Sequence, residues 1–394
     1  MVAATAPLIV IRKSHFLDRT GFPMPVSGLE VRADTLVVIW TDNTSTPFPT
    51  IWLRDNCPSG LHPQTHERLL DLLTLDASPH LLSAECVGDQ VKLIYRDGHV
   101  SLMPLMLLSA HHPGRPAPDP AKVSAELWRA DLTPGGIPRF EAARVLADDG
   151  VLRQWLLQTA RYGLSIVDGL DDRHGAGIEV AERVGFLRET NFGTTFEVIS
   201  MPDPNNLAYT SVALPLHTDL PNQEMPPGYQ FLHCIANEAA GGGSVFADGF
   251  ALAQDLREED PAAFKLLAEV PIPFRFHDDT ADILVRAPVI ALDSWSELIE
   301  IRYNAHIAAI FDMPAEVMPD YYRAYRTYMA KTRDPGYRLE FKLGPGEMVV
   351  FDNRRILHGR EAFDPSTGFR HLHGCYVDRG EFASRLRLLA RAAA

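Results

Sequence analysis

The sequence predicts a mostly β fold with helices, in which a double-stranded β-helix (jelly-roll) domain follows a small β-rich N-terminal domain. Short β-type runs with intervening helical stretches fill the second half of the chain, which is typical of a helix-covered jelly roll. Before residue 111, short apolar runs alternate with Gly-Asp and Asp-Gly hairpin turns. The Pro-rich stretch HHPGRPAPDPAK separates the two regions. We therefore predict domains at 1–110 and 126–394, joined by an extended linker at 111–125.

Periodicity predicts the individual elements of the larger domain. FEAARVLADDGVLRQWLLQTARYG and EVAERVGFL carry apolar residues at spacings of three and four, which predicts helices. PAEVMPDYYRAYRTYMAKTRDP is amphipathic in the same way and is expected to cover one face of the jelly roll. The runs that predict strands include PGYQFLHCIA, PIPFRF, RLEFKLGPGEMVVFDN and RHLHGCYVD.

Composition limits the classes of partner. The chain has 394 residues, with 37 Lys and Arg against 51 Asp and Glu and a net charge of −14. This acidic balance argues against nucleic acid or a membrane as the partner. Near the N-terminus the basic residues follow the apolar run, the reverse of a secretory signal, and four scattered cysteines fit a reducing compartment. We expect a cytoplasmic protein that acts on a small-molecule substrate.

A candidate metal centre lies in LPLHTDLPNQEMPPGYQFLHC. His217 and Asp219 are two residues apart, and in an extended segment such residues share one face. Their convergence could serve a metal ion or a surface ion pair. His358, which follows an apolar run and a polar turn in VVFDNRRILHGREAF, can complete a triad of two histidines and one carboxylate. Such a triad binds Fe(II) and leaves coordination positions open.

Two further residues favour the metal hypothesis, since an H-x-D triplet alone is more often packed or solvated. Arg370 lies twelve residues after His358, at the start of RHLHGCYVD, and its guanidinium suits the carboxylate of a bidentate cosubstrate. Ser244 in GGGSVF could donate its hydroxyl to the same carboxylate, and the glycines before it allow close backbone approach.

Several motifs together resemble the γ-butyrobetaine hydroxylase family of Fe(II)- and 2-oxoglutarate-dependent dioxygenases, within the taurine-dioxygenase-like group. They are NNLAYTSVALPLHTDLPNQEMPPGYQFLHC, GGGSVFADGF, VVFDNRRILHGR, RHLHGCYVDR and, near the N-terminus, IWLRDNCP. The resemblance covers nearly the whole chain. It implies Fe(II), 2-oxoglutarate and O₂, with ascorbate as reductant. The iron ligands that it implies are His217, Asp219 and His358. The residues that it implies for 2-oxoglutarate are Arg370, Ser244 and Leu232.

The resemblance also implies a substrate with a trimethylammonium group, which aromatic faces hold through cation–π attraction. The matching aromatic positions are Phe192, Phe196, Tyr209 and Tyr376. Each would otherwise be interpreted as ordinary core packing. The family's amide contact to the anionic end of the substrate corresponds to Asn206. IEIRYNAH adds further candidates, which could instead face solvent at the end of a strand: Arg302, Asn304 and His306.

Two substrates fit this pattern, γ-butyrobetaine, which would give carnitine, and 2-trimethylaminoethylphosphonate, which would give its 1-hydroxy product. A carboxylate is satisfied by amides, whereas a phosphonate favours extra cationic donors. In both, hydroxylation falls on the carbon second from nitrogen. Two alternatives come from other classes. A non-catalytic jelly-roll sensor of quaternary amines predicts a degraded triad, and a Zn²⁺-dependent hydrolase has no use for Arg370 and Ser244.

The N-terminal domain departs from the family pattern, which is a structural zinc held by three cysteines and one histidine. NCPSGLHPQTH keeps Cys57 but has Ser59 and His62 where cysteines are expected, and His99 matches the histidine. Cys57, His62 and His99 are one ligand short of a closed site, which His66 could complete. We expect instead that this domain has lost its zinc and is held by packing. The resemblance further implies a homodimer.

Overall fold

The structure is a computed structural model that describes residues 9–10, 25–114, 116–200 and 210–393. The chain divides into two compact units, Met1–Asp119 and Pro120–Ala394. In the described part of the chain, no helix combines the length and the apolar character that crossing a membrane requires.

The smaller unit consists of two antiparallel sheets that enclose one apolar core. Its elements are β1 (Ile9–Val10), β2 (Val26–Val31), β3 (Thr35–Trp40), β4 (Ser45–Pro49), α1 (Thr50–Asp55), β5 (Leu81–Val87), β6 (Gln90–Tyr95), β7 (Val100–Pro104) and α2 (Leu105–Ala110). The sheet orders are β1-β2-β3-β4 and β5-β6-β7. Hairpin turns at Gly88 and Gly98 take positive φ, which the Gly-Asp and Asp-Gly pairs allow. Trp40, Phe48 and Tyr95 are buried in the core.

The larger unit contains the remaining strands and helices. They are β8 (Arg139–Glu141), α3 (Ala142–Ala147), α4 (Asp149–Tyr162), β9 (Leu164–Asp168), α5 (Ala176–Val184), β10 (Thr195–Val198), β11 (Leu214–His217), β12 (Tyr229–Asn237), β13 (Ala240–Gly241), β14 (Ser244–Asp248), α6 (Gly249–Glu259), α7 (Pro261–Glu269), β15 (Ile272–His277), β16 (Asp282–Ala287), β17 (Ile290–Leu292), β18 (Leu298–Ile301), α8 (Met318–Arg333), β19 (Leu339–Phe341), β20 (Met348–Asp352), β21 (Ile356–Arg360), β22 (Phe363–Asp364), β23 (Arg370–Val377) and α9 (Arg379–Ala392).

Two sheets form the centre of this unit, a six-stranded sheet in the order β10-β23-β12-β20-β9-β8 and a four-stranded sheet in the order β11-β21-β14-β19. Their strands pair antiparallel except β8 with β9. Leu232 and Phe351 of the first sheet share one buried cluster with Phe246 and Ile356 of the second. The two sheets therefore pack on each other, and the observed fold is β-rich with helices, in agreement with the predicted class at that level.

Helices cover the other face of the six-stranded sheet. Trp155 of α4, Phe231 of β12 and Leu386 of α9 belong to one buried cluster. All eight residues of β23 are consequently buried, including the polar Arg370, His371 and His373. Buried polar side chains need partners or a ligand, so this strand marks the functional part of the molecule.

A buried ion pair holds the turn that leads into β21. The guanidinium of Arg355 donates to both oxygens of Asp248, at 3.1 and 2.7 Å, and both side chains are almost inaccessible to solvent. Asp248 also caps α6, because its Oδ1 accepts from the backbone N–H of Phe250 at 3.0 Å. The pair thus ties the end of β14 to the turn that precedes His358.

Candidate active site

The predicted triad converges at one end of the four-stranded sheet. His217 ends β11 and lies directly across from His358 of β21 in the antiparallel register. Oδ1 of Asp219 lies 3.2 Å from Nε2 of His217 and 3.5 Å from Nε2 of His358. One ligand atom from each of the three side chains lies within 4.8 Å of the others. The geometry therefore suits a single metal ion.

The hydrogen bonds of His217 support the same conclusion. Nδ1 of His217 lies 2.9 Å from the Pro215 carbonyl oxygen, which can only accept, so Nδ1 carries a proton and donates it there. Its Nε2 faces Oδ1 of Asp219 at 3.2 Å, where one metal ion could bind both atoms. Burial on its own would raise the pKa of Asp219, but His358 and His217 hold this pKa well below its usual range. Two imidazoles and a carboxylate fit Fe(II).

Two neighbouring residues hold Asp219 in place. The hydroxyl of Tyr376 donates to Oδ2 of Asp219 at 2.8 Å, which leaves Oδ1 facing the histidines. The buried amide of Asn353 accepts from the Asp219 backbone N–H at 2.7 Å and donates to its carbonyl at 3.0 Å. Sequence reasoning gave Tyr376 only a role in the aromatic cage and missed Asn353, whose signal was the polar turn after VVFD.

Tyr376→Phe is expected to weaken Fe(II) binding by about 10–100-fold, the usual cost of removing a group that orients a metal ligand. The variant keeps the aromatic ring and loses only the hydrogen bond to Asp219. The measurement is the Fe(II) dependence of succinate formation. Tyr337→Phe is the matched control, because that hydroxyl donates to Asp255 at 2.7 Å and does not line the cavity. An unchanged Fe(II) requirement in Tyr376→Phe would contradict the orienting role.

A cavity of about 400 Å³ opens onto the triad. This volume suits a small substrate together with a cosubstrate of similar size. The predicted residues that line it, besides the triad, are Phe192, Phe196, Leu232, Ser244, Asn304, His306, Arg370 and Tyr376.

One end of the cavity is cationic. Arg370 is 5% exposed, and no carboxylate oxygen of the described residues lies within 4 Å of its guanidinium. Burial, with a smaller effect of Arg360, lowers the pKa of Arg370 to about 10, which still leaves it protonated at neutral pH. Gly242 has φ +72, and a Cβ there would lie 3.1 Å from Nε of Arg370. The positive φ favours glycine at this position, and a larger residue would crowd the arginine. The buried cation calls for an anionic ligand.

Arg360 is a second buried cation on the cavity wall that sequence reasoning did not single out. Its guanidinium donates to the carbonyl oxygens of Thr210 at 2.7 Å and Val212 at 3.0 Å. Burial lowers the pKa of Arg360 to about 10. Its position two residues after His358, and therefore on the same face of β21, was the available signal.

Aromatic rings form the opposite wall. Phe196 stacks on Tyr376 with ring centroids 4.9 Å apart. Phe192 contacts Phe276 edge-on at 5.3 Å, and Phe276, which was not predicted, also lines the cavity. Gly374 accommodates this wall, because a Cβ there would lie 2.4 Å from the ring of Phe196.

Two of the residues predicted to contact the anionic end of the substrate, Asn304 and His306, line the cavity. Asn304 lines the cavity, where its amide donates to the carbonyl of Thr218 at 3.4 Å and accepts from the backbone N–H of His306 at 3.0 Å. His306 lines the cavity beside it. Asn206 and Tyr209 lie outside the described residues.

The structure places Arg302 outside the cavity. Its guanidinium pairs with Glu300 and donates to the carbonyl oxygens of Gln223 at 3.0 Å and Glu224 at 2.8 Å. The arginine therefore holds the segment after the triad loop instead of facing the site.

In the smaller unit the proposed zinc ligands bond to neighbouring polar groups. Sγ of Cys57 lies 3.0 Å from Oγ of Ser59, Nδ1 of His62 accepts from backbone N–H groups, and Nε2 of His99 lies 3.1 Å from Oγ of Ser101. Among the described residues, the clusters of three or more potential metal ligands do not include Cys57, His62 or His99. The loss of zinc from this unit stays a prediction.

Comparisons with known proteins give the family. The model "Taurine catabolism dioxygenase TauD, TfdA family" matches residues 128–376, and "Gamma-butyrobetaine hydroxylase-like, N-terminal" matches residues 28–104. The gamma-butyrobetaine dioxygenase of Pseudomonas sp. (strain AK-1) is 42% identical over 395 residues, 95% of this chain and 99% of that protein. The human gamma-butyrobetaine dioxygenase is 32% identical over 371 residues, 91% and 95% of the two chains. The mitochondrial trimethyllysine dioxygenase of Gallus gallus is 31% identical over 370 residues, 91% and 87%.

The fold, the donor set and these relatives define a 2-oxoglutarate-dependent dioxygenase that uses Fe(II). Within that class the chain belongs to the γ-butyrobetaine hydroxylase family of the TauD/TfdA group. The resemblance stated from the motifs is thereby confirmed. A dioxygenase is neither a non-catalytic sensor nor a hydrolase, so neither of those two hypotheses holds.

Proposed function

We propose that the enzyme hydroxylates γ-butyrobetaine to carnitine at the carbon second from nitrogen. The observation that carries the proposal is the position of Tyr376, which stacks on Phe196 and also donates to the triad carboxylate of Asp219. A trimethylammonium group held against these rings would therefore lie next to the metal centre. The carbons adjacent to its nitrogen would then be close enough to the metal to be hydroxylated. The 42% identity to a gamma-butyrobetaine dioxygenase over nearly the whole chain supports the same substrate.

In this proposal Fe(II) is held by Nε2 of His217, Oδ1 of Asp219 and Nε2 of His358. When bound with O₂, it supplies the coupled conversion of substrate C–H to C–OH and of 2-oxoglutarate to succinate and CO₂. Ascorbate would keep the iron reduced.

The chain positions the reactants around that centre. Arg370, with the hydroxyl of Ser244, would bind the distal carboxylate of 2-oxoglutarate through charge-assisted hydrogen bonds. Leu232 would form the apolar wall of that pocket and exclude water. Tyr209 and Asn206 stay predicted contacts to the trimethylammonium group and to the anionic end.

Charge at the substrate end of the cavity favours a carboxylate over a phosphonate. A phosphonate calls for extra cationic donors. Arg302 is occupied outside the cavity, and Arg275, which does line it, donates to both oxygens of Asp282 at 2.7 and 2.6 Å. The amide of Asn304 suits a carboxylate.

Three broader assignments accompany this proposal. The two packed sheets would be the halves of a double-stranded β-helix, which their antiparallel pairing and shared core support. The small domain would end near residue 110, with a linker at 111–125. The enzyme would act in the cytoplasm as a homodimer, which the family resemblance supports and which light scattering would test.

The substrate is tested by 2-oxoglutarate decarboxylation with Fe(II), ascorbate and a panel of trimethylammonium compounds. We expect the highest kcat/KM with γ-butyrobetaine, lower values with 2-trimethylaminoethylphosphonate and trimethyllysine, and a product hydroxylated at the carbon second from nitrogen by NMR. Preference for the phosphonate would move the anionic contact away from Asn304.

The aromatic wall is tested with an uncharged isostere, 5,5-dimethylhexanoate, in which a tert-butyl group replaces trimethylammonium. Cation–π attraction is worth about 0.5–2 kcal/mol per contact, so the isostere should bind more weakly. Phe196→Leu should weaken the binding of γ-butyrobetaine more than the binding of the isostere. The difference in affinity between the two compounds should therefore become smaller. Phe186→Leu is the control, because Phe186 is 83% exposed. Equal losses for both compounds would mean that Phe196 serves only packing.

A further inference from the structure

A second polar cluster includes His371 and His373 of β23, which do not line the cavity, and Glu197 of β10, which does. Side chains alternate along a strand, so His371 and His373 point away from the face that carries Arg370 and Leu372. Glu197 of β10 lies directly across from His373 in the antiparallel register.

Three imidazoles surround the carboxylate of Glu197. Its Oε1 lies 3.2 Å from Nδ1 of His174 and 3.8 Å from Nε2 of His373, while its Oε2 bonds Nε2 of His371. One ligand atom each from His174, Glu197 and His373 lie within 4.8 Å of one another. The ring of His174 lies 5.1 Å from that of His371 and 5.2 Å from that of His373.

Burying these polar side chains costs free energy if they serve only to pack the protein interior. His373 is 8% exposed, and its Nδ1 has no hydrogen-bond partner among the described residues. His233, 1% exposed, lies across from His373 on its other side, and neither of its ring nitrogens has a partner in the same part of the chain. Buried imidazole nitrogens without partners in an interior strand are costly unless a ligand uses them.

We propose that His174, His373 and Glu197 form a second metal site, which binds a divalent cation of the Zn²⁺ class. Two imidazole nitrogens and one carboxylate oxygen are donors that Zn²⁺ accepts, and His371 orients the carboxylate by bonding its other oxygen. His174 is exposed, so the site is reachable from solvent, whereas the other histidines are buried.

The bound ion would stabilise the two strands that carry the aromatic wall of the cavity. It would fasten the edge strand β10 to β23, and these two strands present Phe196 and Tyr376 on the opposite face. The site is therefore structural and distinct from the iron triad, and its occupancy does not depend on the proposed substrate.

The test uses the full chain with His217→Ala and His358→Ala, which remove two of the three triad ligands. Zn²⁺ titration by calorimetry should detect a site of micromolar or tighter Kd. Adding His371→Ala and His373→Ala should weaken this binding by more than about 100-fold, because loss of an outer partner alone costs 10–100-fold. His111→Ala, at an exposed histidine of the smaller unit, is the matched control. Any zinc at Cys57 contributes equally to all these proteins.

A second variant distinguishes loss of the metal ligand from misfolding. Glu197→Gln keeps the size of the side chain and removes the anionic ligand. Zn²⁺ should raise the Tm of the triad-deficient parent, since a ligand that binds only the folded state stabilises it, and should raise the Tm of Glu197→Gln much less. Equal Zn²⁺ affinity and equal Tm shifts in parent and variants would overturn the proposal. None of these readouts uses turnover, so failure here is distinguishable from failure of the proposed hydroxylation.

Discussion

Alanine at His217, Asp219 or His358 is expected to reduce succinate formation by more than about 100-fold in each single variant. Loss of a group that merely orients a metal ligand costs 10–100-fold, and loss of the ligand itself should exceed that. The three donors share one point, with Oδ1 of Asp219 within 3.5 Å of both histidines. No described neighbour on the cavity wall duplicates the carboxylate at that point.

The measurement is succinate formed per enzyme in metal-controlled buffer, together with iron content after anaerobic loading and the circular dichroism spectrum. We expect unchanged spectra and a loss of bound iron in all three variants. His111→Ala should retain full activity, because this exposed histidine belongs to the smaller unit. Near wild-type product formation by any triad variant would contradict the assignment.

Local spacing predicted two of the three triad residues. His217 is the last residue of β11 and Asp219 lies two residues later, just beyond the strand, with the two side chains 3.2 Å apart. The partner His358 was selected by residue type and context. Its alignment opposite His217 depends on the register between strands far apart in the chain, which no local pattern encodes.

Arg302 shows where residue type alone misleads. It followed a β-type run beside Asn304 and suited an anionic substrate, but β18 ends at Ile301 and the side chain turns to Glu300 and to backbone carbonyls. An acid two residues away satisfies a guanidinium locally, at lower entropic cost than a distant contact. The spacing was visible in the sequence; the direction of the side chain was not.

The secondary-structure elements likewise divide into those that the sequence predicts and those that it does not. Apolar spacing predicted the helices now seen as α4 and α8, and apolar runs predicted long interior strands such as β12 and β23. The two-residue strands β13 and β22 and the short β10 are too brief for any period to show. β10 nonetheless carries both Phe196 and Glu197, so part of each candidate site lay in a strand that periodicity does not detect.

Arg370→Ala is expected to raise the KM for 2-oxoglutarate by about 30-fold to a few thousand-fold, while the KM for the trimethylammonium substrate changes little. Removing one partner of a buried charge pair costs about 2–5 kcal/mol, and each 1.4 kcal/mol is tenfold. Arg370 qualifies as such a partner, because it is buried, still protonated at neutral pH and without a carboxylate within 4 Å among the described residues.

The conservative variant Arg370→Lys separates charge from geometry. An ammonium restores the positive charge but not the two parallel donors of a guanidinium, so the KM should fall between those of wild type and alanine. Arg275→Ala is the matched control on the same cavity, since that arginine already pairs with Asp282. An unchanged 2-oxoglutarate KM in Arg370→Ala would place the distal carboxylate elsewhere, and the neighbouring buried cation Arg360 would then be the next residue to replace. A large effect in Arg370→Ala and none in Arg275→Ala would show that 2-oxoglutarate depends on the buried guanidinium itself, and not on the positive charge of the cavity as a whole.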